Sequence, residues 1–212
     1  MKIAVVGATG GLGQRVVKQA IECGHVITAV IRDSDKASAV LPKETILKVV
    51  PSVDEANLSL LIDAFQGQDC VLEVVDNNDR VAKVKVMIEA ATTAGIDKFI
   101  LCGGAGTLKM SSDPSSKRLY EVLGDSIGTW LKPVTLLHLE TQQVAFSSTI
   151  SVVAQISPPG MSAGLLTNTF MPIKDVTTGV MSASYEDVAD VIIQSVPTLE
   201  SYNRSMIGLV LK

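Results

Sequence analysis

Short, almost purely apolar runs alternate along this chain with longer stretches whose apolar positions recur at helical spacing, the mark of stacked βαβ units around a parallel sheet. The pattern predicts strands at 2–6, 26–31, 45–50, 70–75, 97–102 and 150–156, with a last one near 205–211. Helices are predicted at 11–23, 55–66, 79–94, 133–147 and 185–196, with a short turn near 34–40. Asp54 is placed to cap the helix of the third unit and Asn77 or Asn78 that of the fourth. Gly24 and Gly95 end helices just before the next apolar run, which keeps those loops tight. Gly103 to Trp130 is rich in Gly, Ser, Lys and Pro and reads as a long surface loop beside the carboxyl end of a central strand, where ligands bind in open α/β sheets. The segment 158–184 has weak periodicity and reads as a small flap covering a substrate.

These elements imply one domain over residues 1–212 with an α/β, Rossmann-type, doubly wound parallel sheet of central strand order 3-2-1-4-5-6. The composition agrees, because 47% hydrophobic residues suit a sheet buried on both faces. The net charge of -4, without a Lys/Arg cluster, argues against nucleic acid as a partner. No apolar run is long enough to span a bilayer, and the chain opens on a strand rather than on a signal peptide, so a cytoplasmic protein is expected. Cys23, Cys70 and Cys102 lie far apart in apolar contexts and read as buried reduced thiols.

The sharpest motif is Gly7-Ala8-Thr9-Gly10-Gly11-Leu12-Gly13, between the first strand and an amphipathic helix. The backbone must turn at Gly7, let a diphosphate approach near Gly10, and pack helix on strand at Gly13, while the helix amino terminus offers free N–H groups. The second strand ends Val30-Ile31-Arg32. A guanidinium there suits a ribose 2′-phosphate, with Lys36 as a second cation, and favours NADP over NAD. Asp33 and Asp35 are the alternatives that would hold the ribose of NAD.

The GATGGLG opening, Gly24-His25-Val26 leading to Arg32, Ala90-Ala91-Thr92-Thr93-Ala94-Gly95, and Ser184-Tyr185-Glu186-Asp187-Val188-Ala189 together resemble the atypical short-chain dehydrogenases/reductases. Within them the chain is similar to the small NAD(P)H-binding proteins grouped with NmrA-like regulators and biliverdin reductase B (flavin reductase). The resemblance implies that Gly7, Thr9, Gly10, Gly11, Leu12 and Gly13 hold the phosphates and Arg32 the 2′-phosphate. It places Val74 and Val75 beside a ribose and Pro158, Pro159 and Gly160 near the nicotinamide.

The chain departs from the Ser and Tyr-x-x-x-Lys set of ordinary relatives. Gly103 stands where the serine is expected, Tyr120 is followed four residues later by Gly124, and Lys117 precedes it. His138 is the first remaining candidate acid, against the alternative of an imidazole packed between Leu137 and Leu139. Tyr120 is the second, and Ser111 or Ser112 the third; His25 reads as structural. The leading expectation is an NAD(P)H-dependent reductase of a flavin, quinone-like or other conjugated small molecule, since hydride transfer to such an acceptor needs no protein acid. A non-catalytic NAD(P) sensor working through a protein partner and an epimerase or isomerase are the alternatives, and a homodimer is open to any of them.

Overall fold

The computed structural model describes residues 1–75 and 79–212. Strands form where alternate residues can be buried on opposite sides of one sheet. In β1 (Lys2–Val6), Ile3 and Val5 pack with Val16, Val17 and Ile192 on one face, and Ala4 and Val6 pack with Leu61, Phe65 and Met87 on the other. Next come α1 (Gly11–Glu22), β2 (Val26–Ile31), α2 (Ser34–Val40), β3 (Ile46–Val49) and α3 (Leu58–Phe65). β4 (Cys70–Glu73), α4 (Arg80–Thr93), β5 (Lys98–Cys102), α5 (Leu119–Leu123), α6 (Leu131–Phe146) and β6 (Val152–Ile156) follow. The chain finishes with β7 (Gly160–Ser162), β8 (Phe170–Lys174), β9 (Ser182–Ser184), α7 (Tyr185–Ser195) and β10 (Ser205–Leu211).

The main sheet has eight strands in the order β3-β2-β1-β4-β5-β6-β10-β8. It contains the expected 3-2-1-4-5-6 core, with β10 added parallel to β6 and β8 antiparallel to β10. The domain is thus a single α/β unit with a Rossmann-like sheet. α1 and α7 cover one face, and α3, α4 and α6 cover the other. Phe65 and Phe99 are fully buried, each worth about 2–3 kcal/mol of transfer free energy. Among the described residues, no helix is long and apolar enough to cross a membrane.

Several expectations change. The 158–184 segment is not only a flap. Its β8 closes one edge of the main sheet, where Pro172 pairs with Leu209; a proline is tolerated there because an edge strand needs hydrogen bonds on one side only. β7 and β9 pair in parallel as a separate two-stranded sheet at the site. The 103–130 stretch is not an open loop either. It folds through a 3₁₀ turn at Ala105–Thr107 and helix α5, and Ala105, Leu108 and Leu119 form a small core with Met206. Asp54 caps the third-unit helix at the expected place by accepting the Asn57 amide, but the first turn, Glu55–Asn57, is 3₁₀ and the α-helix begins only at Leu58. Cys23 is exposed because it caps the open carboxyl end of α1, while Cys70 and Cys102 are buried, and none of the three forms a disulfide. Burial pushes the Cys70 thiol up to about 12. Asn77 and Asn78 lie outside the described residues.

Candidate functional site

The chain leaves β1 through Gly7 at φ +93°, a left-handed conformation suited to glycine. A Cβ there would sit 2.8 Å from the Val74 carbonyl oxygen, so the turn lies flush against the end of β4. The Gly10 amide donates to Gly7 O at 3.0 Å. Gly10 caps α1 without a side chain, and no acidic residue occupies the first turn. The amino end of α1 therefore meets the cleft as backbone alone, carrying the positive end of the helix dipole. Gly13 does a different job from its neighbours. Its Cβ would lie 2.2 Å from Gly7 O, so its bareness lets α1 pack on the turn, and it does not line the cleft.

Above the carboxyl ends of β1, β2, β4, β5 and β6 runs a cleft of about 900 Å³. Gly7, Thr9, Gly10, Gly11, Leu12, Arg32, Val74, Val75 and Pro158 all line it, as does His138. Tyr120, Ser111 and Ser112 do not. Arg32 and Lys36 are exposed at one end, with no ion pair to any described carboxylate. Asp33 does not line the cleft, and its Oδ1 accepts the amides of Asp35 and Lys36 as the cap of α2. His25 lies far from this cleft, with its Nδ1 3.2 Å from the terminal amine of Met1. Burial and that positive charge hold its imidazole below the usual histidine range.

The other end of the cleft is built on the glycine turn after β5. Each of three glycines there makes room for a polar side chain. A Cβ on Gly103 would meet Gln155 Nε2 at 2.5 Å, one on Gly104 would meet His138 Nδ1 at 3.1 Å, and one on Gly106 would meet Thr135 Oγ1 at 2.2 Å. Gln155 Nε2 donates to Thr107 Oγ1 at 3.1 Å and to Ser157 Oγ at 3.0 Å, and Thr107 Oγ1 donates to Gly104 O at 2.8 Å. All three side chains are fully buried, so the turn is held from below by a polar knot. Helix α6 presents Thr135 and His138 to the cleft.

Sequence reading missed Glu73 and Arg80, both closed off from water at the end of β4 and the start of α4. Arg80 Nη2 pairs with Glu73 Oε2 and also donates to Cys102 O, while Nη1 donates to Val75 O at 2.7 Å. Glu73 accepts the Val75 amide at 2.8 Å and the Cys102 amide at 3.3 Å. The signal was present as a charged residue ending an otherwise apolar strand, where burial without a partner would be prohibitive.

Tyr185, at the start of α7, is a second residue that sequence reading left without a role. Its ring faces Gly11 across a space a Cβ would fill at 3.1 Å, and Arg15 lies over it at 5.9 Å from the ring centre. Arg15 Nε also pairs with Glu186 Oε1 at 2.9 Å. Partial burial pushes the Glu186 carboxyl up, but donation from Arg15, the charge of Arg15 and backbone amides together outweigh it, and the group lies below the usual range. Ser184 caps α7 by accepting the Asp187 amide, and Asp187 Oδ1 accepts from Thr167, tying the segment before β8 to the helix.

Comparison with known proteins bears on this geometry. The NAD(P)H-binding family matches residues 7–198. The chain is 31% identical over 109 residues to the photosystem II assembly factor Ycf39 of Synechocystis sp. PCC 6803, spanning 47% of this chain and 32% of that longer relative. Among solved structures, a candidate NADH-flavin reductase from Streptococcus pneumoniae TIGR4 superposes with a TM-score of 0.78 at 20% identity over 100% of both chains. An anaerobillin reductase from Escherichia coli O157:H7 superposes at 0.72 and 20% identity over 99% of this chain and 97% of that one. At such identities the likeness is one of fold.

Proposed function

Since the chain belongs to the NAD(P)H-binding family, as its resemblance to the atypical short-chain dehydrogenases/reductases implied, we propose that it is an NADP(H)-dependent reductase of a flavin, quinone-like or other conjugated small molecule. One observation carries this reading: a single cleft runs from a bare helix amino terminus and two unpaired cations to an apolar end floored by glycines, with His138 as its titratable side chain there. The residues present fit a dinucleotide, because the amino end of α1 lines the cleft at Gly10 and Gly11 as bare backbone, with neither a capping side chain nor a first-turn acid to compete with a diphosphate.

A nicotinamide nucleotide supplies a hydride when bound. The chain's own residues do the rest. The amides at the amino end of α1 hold the diphosphate, and Arg32 with Lys36 distinguishes a 2′-phosphate from a bare ribose. Glu73 and Arg80 fix the ends of β4 and β5 against each other under the centre of the cleft. His138 stands beside Gly104 at a position to deliver or orient a proton, and solvent serves where the acceptor is a conjugated ring.

The test is to mix the protein with NADPH and riboflavin or a small quinone and follow cofactor absorbance. Sustained oxidation above the rate without protein supports the reductase. Tight cofactor binding without turnover of any flavin or quinone would replace it with the sensor that works through a protein partner.

A further inference from the structure

The charges of the cleft are segregated. Arg32 and Lys36 stand at its nucleotide end, and Arg80 and Lys83 at its middle. The far end, lined by Leu123, Trp130, Val134, Met161, Met181 and His138, carries no lysine or arginine among the described residues. The residues left undescribed do not change this, since Asp76, Asn77, Asn78, Asp125 and Ile127 are none of them basic. The nearest cations in sequence are turned elsewhere. Arg118 donates to Thr107 O and approaches Met206 Sδ, and Lys132 lies off the lining.

Trp130 is the chain's single tryptophan and is 59% exposed although it lines the cleft. Met181 and Val134, which also line the cleft, are 50% and 38% exposed. Large apolar side chains left open around a concave site mark where a ligand's own apolar surface is to be buried. An exposed indole offers a flat face for a second ring.

Resting on the reductase reading above, we propose that this end takes an uncharged planar conjugated ring and discriminates against acceptors that carry a phosphate, sulfonate or carboxylate on or near that ring. An anion carried into an apolar end without a cation loses hydration that nothing there replaces. The chain's overall charge of -4 adds to that bias. The balanced reaction is NADPH plus a proton plus the oxidised ring giving NADP⁺ and the dihydro ring, so no further reductant is required.

The experiment uses Trp130 fluorescence, which reports on occupancy of this end without needing turnover. The full chain is titrated with matched probes sharing one ring: riboflavin against FMN, and 1,4-naphthoquinone against its 2-sulfonate. The neutral member of each pair is expected to quench at concentrations about tenfold lower or better. Val134→Lys, which places a cation at this end, is expected to bring the anionic member at least level. Equal or tighter binding of the anionic members to the unaltered chain would overturn the inference, as would no quenching by any probe. Calorimetry with NADPH on the same sample separates the two readings: absent cofactor binding sinks the reductase, whereas a reversed probe order with cofactor bound sinks only the choice of acceptor.

Discussion

Arg80 reaches across from the start of α4 to Glu73 at the end of β4, so that one buried ion pair bolts the two central strands together directly beneath the cleft. Both side chains are almost wholly shielded from water, and each also serves backbone groups of Val75 and Cys102. Removing one partner strands the other's charge in a poor dielectric, which typically costs about 3–5 kcal/mol. Arg80→Met should therefore lower unfolding stability by about that amount, and Glu73→Gln combined with it should recover part of the loss. Urea unfolding of the two singles and the double checks this. Strictly additive losses would mean that the pair is not coupled.

Arg32 is expected to decide between the two nicotinamide nucleotides. It stands at the end of β2 without a described carboxylate beside it, and the rival Asp33 is spent on capping α2. Arg32→Glu should weaken NADPH by about 10–100-fold, the scale of a lost charge-assisted hydrogen bond, and leave NADH much less affected. Calorimetric titration with both nucleotides measures it. Equal loss of the two would place the 2′-phosphate elsewhere.

Placing at position 103 the serine that the resemblance to short-chain dehydrogenases/reductases led one to expect should harm rather than help. A Cβ there meets the Gln155 amide at 2.5 Å, and Gln155 is locked to Thr107 and Ser157. Gly103→Ser should cost about 1–3 kcal/mol by overpacking and give no gain in turnover, whereas adding Gln155→Ala should return part of the stability. Thermal melts of the single and double variants beside the parent chain decide. A gain in turnover by the single serine variant would show that the site lacks a hydroxyl hydrogen-bond donor to the substrate.

How much of this could be read in advance follows from what each residue's signal depends on. The strands of the core, the order 3-2-1-4-5-6, and the cradle at Gly7 to Gly13 were legible because periodicity and glycine spacing are local properties. β8 was not, because Phe170-Met171-Pro172-Ile173-Lys174 has neither alternation nor a proline-free run, and only the edge position makes that acceptable. Glu73 carried a signal in its charge at the end of an apolar strand, but its partner did not: Arg80, seven residues on and in a different element, pairs with it only after α4 folds back on β4. The fate of Gly103, Gly104 and Gly106 depends on Gln155, His138 and Thr135, and no spacing rule connects those positions.

His138 is expected to matter for turnover more than for cofactor affinity. Its ring touches the space a Cβ on Gly104 would take, at the apolar end of the cleft. His138→Ala should slow turnover by up to about 100-fold, the lower range for a general acid, with cofactor affinity nearly unchanged. Gly104→Ala, which pushes the ring without removing it, should give a smaller loss of the same kind. Steady-state rates beside a direct binding measurement separate the effects, and unaltered turnover in both variants would leave the imidazole as packing alone.

Acid should loosen the seam between α1 and α7. Glu186 binds Arg15 across that seam and accepts the Gln19 side-chain amide at its backbone carbonyl, and its carboxyl is held below the ordinary value of 4.5. A carboxyl depressed in the folded state contributes stability that is fully present above its unfolded value and is lost as pH falls through its folded one. The loss should thus begin near pH 4.5 and continue below it. Because the pair is partly exposed, with side chains 30% and 22% accessible, it is worth no more than about 0.2–1 kcal/mol. Glu186→Gln should be less stable than the parent chain at pH 7 by about that much, and the two stability curves should converge as the pH drops. Curves that stay parallel down to acid unfolding would mean that Glu186 contributes nothing through its charge.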